Sequence, residues 1–240
     1  MNMSGLHGTA SNLACESCKL KADNFFCHLS PAAAKEFAAI KYSTTYPSGS
    51  VLFLENEHTR GVFLLCSGLV KLAVSSRGGK TLILRIAGPR EIIGLHSVMS
   101  NAHAEVSAET LQPCQIAFIR RDDFLRFVHT YPEVYEAVAM QLSSQYSSAC
   151  EQLRTIGLSS SAHGKLARLL LHWCADGRET KDGTQIKVRL THEQIAECVG
   201  STRETVTRTL SEFKSRHLVT FKGATMMIPS RAALEAIGGS

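Results

Sequence analysis

The chain has 240 residues, 44% of them apolar, and a formal net charge of +5 at pH 7. That length holds one large or two modest domains, and that apolar share supplies a core, so an unstructured chain is excluded. No apolar run reaches the roughly eighteen residues of a membrane helix. The opening MNMSGLHGTAS lacks the basic and apolar parts of a secretory signal, so a cytoplasmic location without membrane contact is expected.

In chain order, residues 1–30 carry Cys15, Cys18 and Cys27 within NLACESCKLKADNFFCHLS. Clustered thiols in a reducing compartment point to a metal or redox centre rather than a structural disulfide. Cys66, Cys150, Cys174 and Cys198 stand alone in apolar or helical stretches and read as small buried hydrophobes. PAAAKEFAAI, 31–40, predicts a short helix with Ser30 as N-cap and Pro31 in the first helical position.

From Tyr46 to Ile119 the texture changes. VLFLE, GVFLLC, GLVKLAV, TLILRIA and CQIAFI alternate with PSG, CSG, SSRGGK and AGPRE, which predicts an antiparallel sandwich or barrel. Residues 131–157 then read as one long helix with Pro132 in its first turn. Val134, Val138, Leu142, Gln145, Ala149, Gln152 and Ile156 form a weak heptad-like stripe, which suits a homodimer seam or packing onto the chain's own sandwich. A further helix follows Ser161, and KDGTQIKVRL reads as a hairpin.

THEQIAECVGSTRETVTRTLSEFKSRHLV has the pattern of a helix–turn–helix. Thr191 caps the first helix, Ile195 and Val199 face inward, Gly200 permits the turn, and Ser201 or Thr202 starts the second helix. Val206, Leu210 and Phe213 form its buried face. Arg203, Glu204, Thr207 and Arg208 lie on the other side, spanning roughly 140° of helix surface at 100° per residue. Arginine can bond guanine O6 and N7 together and a carboxylate can accept from cytosine N4, so these four are the candidate base readers. HLVTFKGATMMIPS adds a two-stranded wing with Lys222 at its tip. Thr191, Ser201, Thr202 and Lys222 are the candidate phosphate contacts. Residues 157–240 hold 12 Lys and Arg against 8 Asp and Glu, whereas the first 156 hold 14 against 13, so the cationic surplus sits with this motif. No nucleophile motif appears and the histidines are scattered, so an enzyme is not expected.

The order of sandwich, long helix and winged helix resembles the CRP/FNR family of bacterial transcription regulators, from about Cys15 to Ile228. The resemblance implies an α+β chain: a cysteine-bearing segment (1–30), a cyclic-nucleotide-binding-like β-roll (31–130), a dimerisation helix (131–157) and a winged helix–turn–helix (158–240). It also implies a homodimer on palindromic double-stranded DNA, with RNA polymerase as a partner. In the cyclic-AMP-binding members a Gly-Glu pair and an Arg-Ser pair hold the nucleotide. Here Leu95 follows Gly94, and Ala104 and Glu105 occupy the place of the Arg-Ser pair, so no cyclic nucleotide is expected. In the oxygen-sensing members a fourth cysteine precedes a β-roll strand. AETLQPCQIAFI resembles that segment, so Cys15, Cys18, Cys27 and Cys114 are the implied ligands of a [4Fe–4S] cluster sensing oxygen or nitric oxide. Four thiolates suit tetrahedral Zn²⁺ as well. The gap in C-x2-C-x8-C is longer than the family's usual one. Arg203, Glu204 and Arg208 match the cyclic-AMP-type reading head and imply a TGTGA-like half-site, whereas the oxygen-sensing type reads TTGAT-like sites. The other classes left open are a regulator of another small effector and an iron–sulfur redox protein.

Overall fold

The computed structural model describes residues 29–159 and 161–239, so Cys15, Cys18 and Cys27 lie outside the described residues. The chain forms two compact units: residues up to 74 with 85–147, and 75–84 with 148 onward.

The first unit begins with α1 (Pro31–Ile40), whose Ser30 cap accepts from the Ala33 N–H. It continues through β1 (Lys41–Tyr46), β2 (Val51–Phe53), β3 (Gly61–Ser67), β4 (Val70–Ser75), β5 (Thr81–Ala87), β6 (Ile92–Ile93), α2 (Leu95–Ser100), β7 (Ser107–Thr110) and β8 (Cys114–Arg120). Then come α3 (Arg121–Thr130) and the long α4 (Pro132–Gly157). Two four-stranded sheets, ordered β1-β8-β3-β6 and β2-β7-β4-β5, make the roll. Tip residues 75–84 of the β4–β5 hairpin group with the second unit.

The alternation along β8 explains the layers. Cys114 and Ile116 are buried on one face, in one core cluster, and Ile119 on the other face, in a second cluster, so β8 is covered on both sides. Phe37, Phe124, Phe127, Val134 and Val138 fill one core cluster, and Phe53, Phe63, Leu65, Cys114 and Ile116 another. The polar runs KYSTTY and SAET also form strands, β1 and β7, because pairing with β8 and β4 supplies what their side chains do not. No clear sequence signal marks α3. It is held by Phe124, Phe127 and Val128 in the core.

The stripe on α4 does not serve as one seam. Val134 and Val138 are buried in the chain's own core, with Leu142 packed against it. The edge strand β6 would leave one side of its backbone unpaired. Gln141 Oε1 accepts from the Ile92 N–H at 3.1 Å and Nε2 donates to the Ile92 carbonyl at 2.6 Å, so an amide replaces the missing strand. Gln145 Nε2 approaches the same carbonyl at 3.4 Å. Farther along, Gln152 Nε2 donates to the carbonyls of Ile83 (2.9 Å) and Cys198 (2.7 Å). Ile156 is half-buried and Ala149 exposed. Tyr135, Met140, Tyr146 and Leu153 are the large apolar residues of α4 that remain open, with Tyr146 and Leu153 at 73% and 70% exposure. A helix of period 3.6 carries more than one apolar row, and the row beginning at Val134 is the one that faces inward.

The second unit contains α5 (Ala162–Cys174), β9 (Arg178–Thr180), β10 (Gly183–Lys187), α6 (His192–Val199), α7 (Arg203–Ser215), β11 (Thr220–Lys222), β12 (Thr225–Ile228) and α8 (Arg231–Gly238). Its sheet runs β11-β12-β10-β9. Leu166, Leu170, Ile195, Val199, Val206, Leu210, Phe213, Met226 and Ile228 are buried. Helix α8 is an addition to the elements expected from the sequence. Its Arg231 bonds Thr184 Oγ1 (3.0 Å) and the Cys174 carbonyl (2.9 Å) and pairs with Glu179.

Candidate nucleic-acid interface

The helix–turn–helix is set by its caps. Thr191 Oγ1 accepts from the Gln194 N–H (3.2 Å) while Gln194 Oε1 accepts from the Thr191 N–H (2.9 Å), a capping box that fixes where α6 begins. Gly200 ends α6 at φ 61° and ψ 45°, a left-handed conformation that costs glycine little, and the Ser201 N–H returns to the Ala196 carbonyl (3.0 Å). Thr202, not Ser201, caps α7: its hydroxyl oxygen accepts from the Thr205 N–H and its proton goes to Thr205 Oγ1 (3.0 Å). That hydroxyl is therefore engaged within the protein, whereas Thr191 is left with an undirected hydroxyl proton.

Val206, Thr209, Leu210 and Phe213 anchor α7, so Arg203, Glu204, Thr207 and Arg208 are exposed together on its N-terminal half. Glu204 is held below the usual carboxylate range, first by its own backbone N–H and also by the Arg203 charge. It is therefore an ionised acceptor at neutral pH. In the wing, Lys222 pairs with Thr225, the turn passes through Gly223, and Lys222 is exposed. One contact had no signal in the sequence: His192 Nδ1 lies 2.9 Å from Thr207 Oγ1.

In the β-roll, the positions that correspond to the nucleotide-holding pairs carry other side chains. Leu95 and Ala104 are buried, and Glu105 is exposed and pairs with His96 at 3.0 Å. Cys114, the expected fourth ligand, sits in the core. It is wholly buried, its thiol faces the carbonyls of Gln112 (3.1 Å) and Leu69 (3.3 Å), and a Cβ on neighbouring Gly68 would run into its sulfur. Burial pushes this thiol up, and the two backbone contacts only partly offset that. As placed, Cys114 is enclosed by Gly68 and two carbonyls, and its expected partners Cys15, Cys18 and Cys27 lie outside the described residues. Among the described residues no group of three His, Cys, Asp or Glu could hold a metal ion. Among them, too, no helix is long and apolar enough to cross a membrane.

A capped reading helix with exposed cationic side chains, a wing and an antiparallel roll define a winged-helix DNA-binding regulator. Known proteins agree. Residues 164–237 match the Crp-like helix–turn–helix domain and residues 43–131 the cyclic nucleotide-binding domain. A CRP-like cAMP-activated global transcriptional regulator of Mycobacterium tuberculosis is 27% identical over 185 residues, covering 76% of this chain and 82% of its own. The cyclic AMP receptor protein of Thermus thermophilus is 26% identical over 192 residues, covering 80% and 86%. FixK2 from Bradyrhizobium japonicum shares the fold with a TM-score of 0.73 at 17% identity, over 84% of this chain and 98% of its own. The chain is a CRP/FNR family transcription regulator and not an enzyme.

Proposed function

We propose that the chain acts as a homodimer that reads a palindromic site through Arg203, Glu204, Thr207 and Arg208, with Lys222 and the Thr191 hydroxyl on phosphates. The observation that carries this reading is the joint exposure of those four side chains on the capped N-terminal half of α7. A recognition helix meets base edges in the major groove with its N-terminal residues, and two such helices about one helical turn apart read a palindrome. The open row on α4 that includes Tyr146 and Leu153 supplies the apolar seam between protomers, in place of the inward row. RNA polymerase is the expected partner on DNA.

The signal is a separate question. The Mycobacterium tuberculosis and Thermus thermophilus relatives are cAMP regulators by name, yet Leu95, Ala104 and the Glu105 carboxylate leave a cyclic phosphate without a cationic partner at the positions where the resemblance expects it to be held. A cyclic nucleotide is therefore the second reading. The first is a redox or gas signal taken by Cys15, Cys18 and Cys27, with [4Fe–4S] or Zn²⁺ as the class of cofactor and without Cys114.

The test is binding of the full-length protein, purified without air, to duplexes carrying two TGTGA half-sites and their single-base variants. Arg203→Ala should lose about 1–3 kcal/mol of discrimination at one guanine and little on sites already altered there. Lys222→Ala should weaken all duplexes alike and lower the salt slope by about 0.9 for each phosphate it no longer neutralises. Equal loss on every sequence for Arg203→Ala refutes base reading. Iron, sulfide and zinc analysis, with cAMP added in parallel, separates the two signals.

A further inference from the structure

His192 is the first residue of α6, and its ring reaches across to the recognition helix. The bond it makes there determines where its proton sits. Thr207 gives its hydroxyl proton to the Arg203 carbonyl, 2.8 Å away. A hydroxyl has one hydrogen, so in the 2.9 Å contact with His192 the Thr207 oxygen accepts and His192 Nδ1 carries the proton. The ring is then either neutral, with a lone pair on Nε2, or an imidazolium, with Nε2–H as a second donor. His192 is exposed, and among the described residues nothing bonds Nε2. Thr207 lies on the same open face as Arg203, Glu204 and Arg208, so the ring stands beside the base readers.

We propose that His192 is a proton-dependent DNA contact, held in place by Thr207, that donates Nε2–H to a backbone phosphate only as the imidazolium. The inference rests on α7 being the DNA-reading helix. A neutral ring presents a lone pair to the phosphate and is repelled, whereas the charged ring makes a charge-assisted bond. The charged residues next to it in sequence and on the open face of α7 are Glu193, Arg189, Arg203, Glu204 and Arg208. Phosphate favours the charged ring in the complex, so the complex takes up a proton and affinity falls as pH rises. The carbonyl of Arg203 fixes Thr207, Thr207 fixes His192, and His192 meets the backbone next to the guanine that Arg203 reads. Sequence reading and proton sensing thereby share one hydrogen-bonded chain.

The test is fluorescence anisotropy of the full-length protein on a duplex carrying two TGTGA half-sites and on a scrambled duplex, at about pH 6 and about pH 8.5 over a range of KCl. The wild type should bind both duplexes more tightly at the lower pH, by roughly tenfold for each protomer bound, the worth of a hydrogen bond to a charged group. Its slope of log affinity against log salt should be steeper there by about 0.9 for each protomer bound. His192→Gln carries no imidazole there and should lose both differences, while the protein's other nine histidines are common to both proteins and cancel. Thr207→Val unties the ring and should shrink the pH difference without abolishing it. Equal pH dependence in wild type and His192→Gln, or a salt slope that does not change with pH, overturns the proposal while leaving base reading intact. A full pH difference in Thr207→Val overturns the tether. Absence of binding to either duplex at both pH values overturns base reading by α7, and this inference with it.

Discussion

Replacing Gln141 by Leu removes one side chain and two hydrogen bonds, and its cost can be worked from the geometry. The amide meets both polar groups of Ile92, at 3.1 and 2.6 Å, on the open side of the edge strand β6, and Gln141 is only 7% exposed. Leucine has similar bulk, so the cavity term is small. Each lost bond removes about 1 kcal/mol net, and each buried backbone group left unpaired costs about 1–3 kcal/mol. With partial relaxation of the strand, a loss of roughly 2–4 kcal/mol is expected. Gln141→Glu should cost at least as much, because its carboxylate can accept from the Ile92 N–H but is repelled by the Ile92 carbonyl. Urea unfolding followed by far-ultraviolet circular dichroism measures this as a lower midpoint at unchanged slope. A loss under about 0.5 kcal/mol for Gln141→Leu would refute the argument, since it would mean that water or relaxation satisfies Ile92 at no cost.

Two other expectations follow from burial alone. Leu153→Asp, at a position 70% exposed in the single chain, should leave thermal unfolding of a monomer nearly unchanged but shift sedimentation toward monomer and weaken binding to the palindrome; an unchanged dimer would exclude this face of α4 as the seam. In native alkylation read by mass spectrometry, half-buried Cys150 should label well before Cys114, Cys174 and Cys198. Burial, then the Glu197 charge, pushes Cys198 up to about 12, so its thiolate is scarce at neutral pH; rapid labelling of Cys114 would restore it as a candidate ligand.

The sequence by itself determined the parts that depend on local rules. Ser30 and Pro31 start α1, Thr191 and Gly200 bound α6, and Val206, Leu210 and Phe213 choose the buried face of α7, which exposes Arg203, Glu204, Thr207 and Arg208 by default. Caps, left-handed glycines and apolar spacing act within a few residues, so they can be read from a string. The tertiary structure alone decided what depends on distant partners. KYSTTY is a strand because β8 lies beside it, and Cys114 is a core thiol because Gly68 and the carbonyls of Leu69 and Gln112 enclose it. The α4 stripe is not a single seam, because periodicity marks a row of residues but not the surface that the row will meet. His192 has no signature at all. It is fifteen positions from Thr207 in sequence, and only the turn at Gly200 brings their side chains to 2.9 Å, where one hydroxyl's single hydrogen dictates that the ring nitrogen facing it carries the proton.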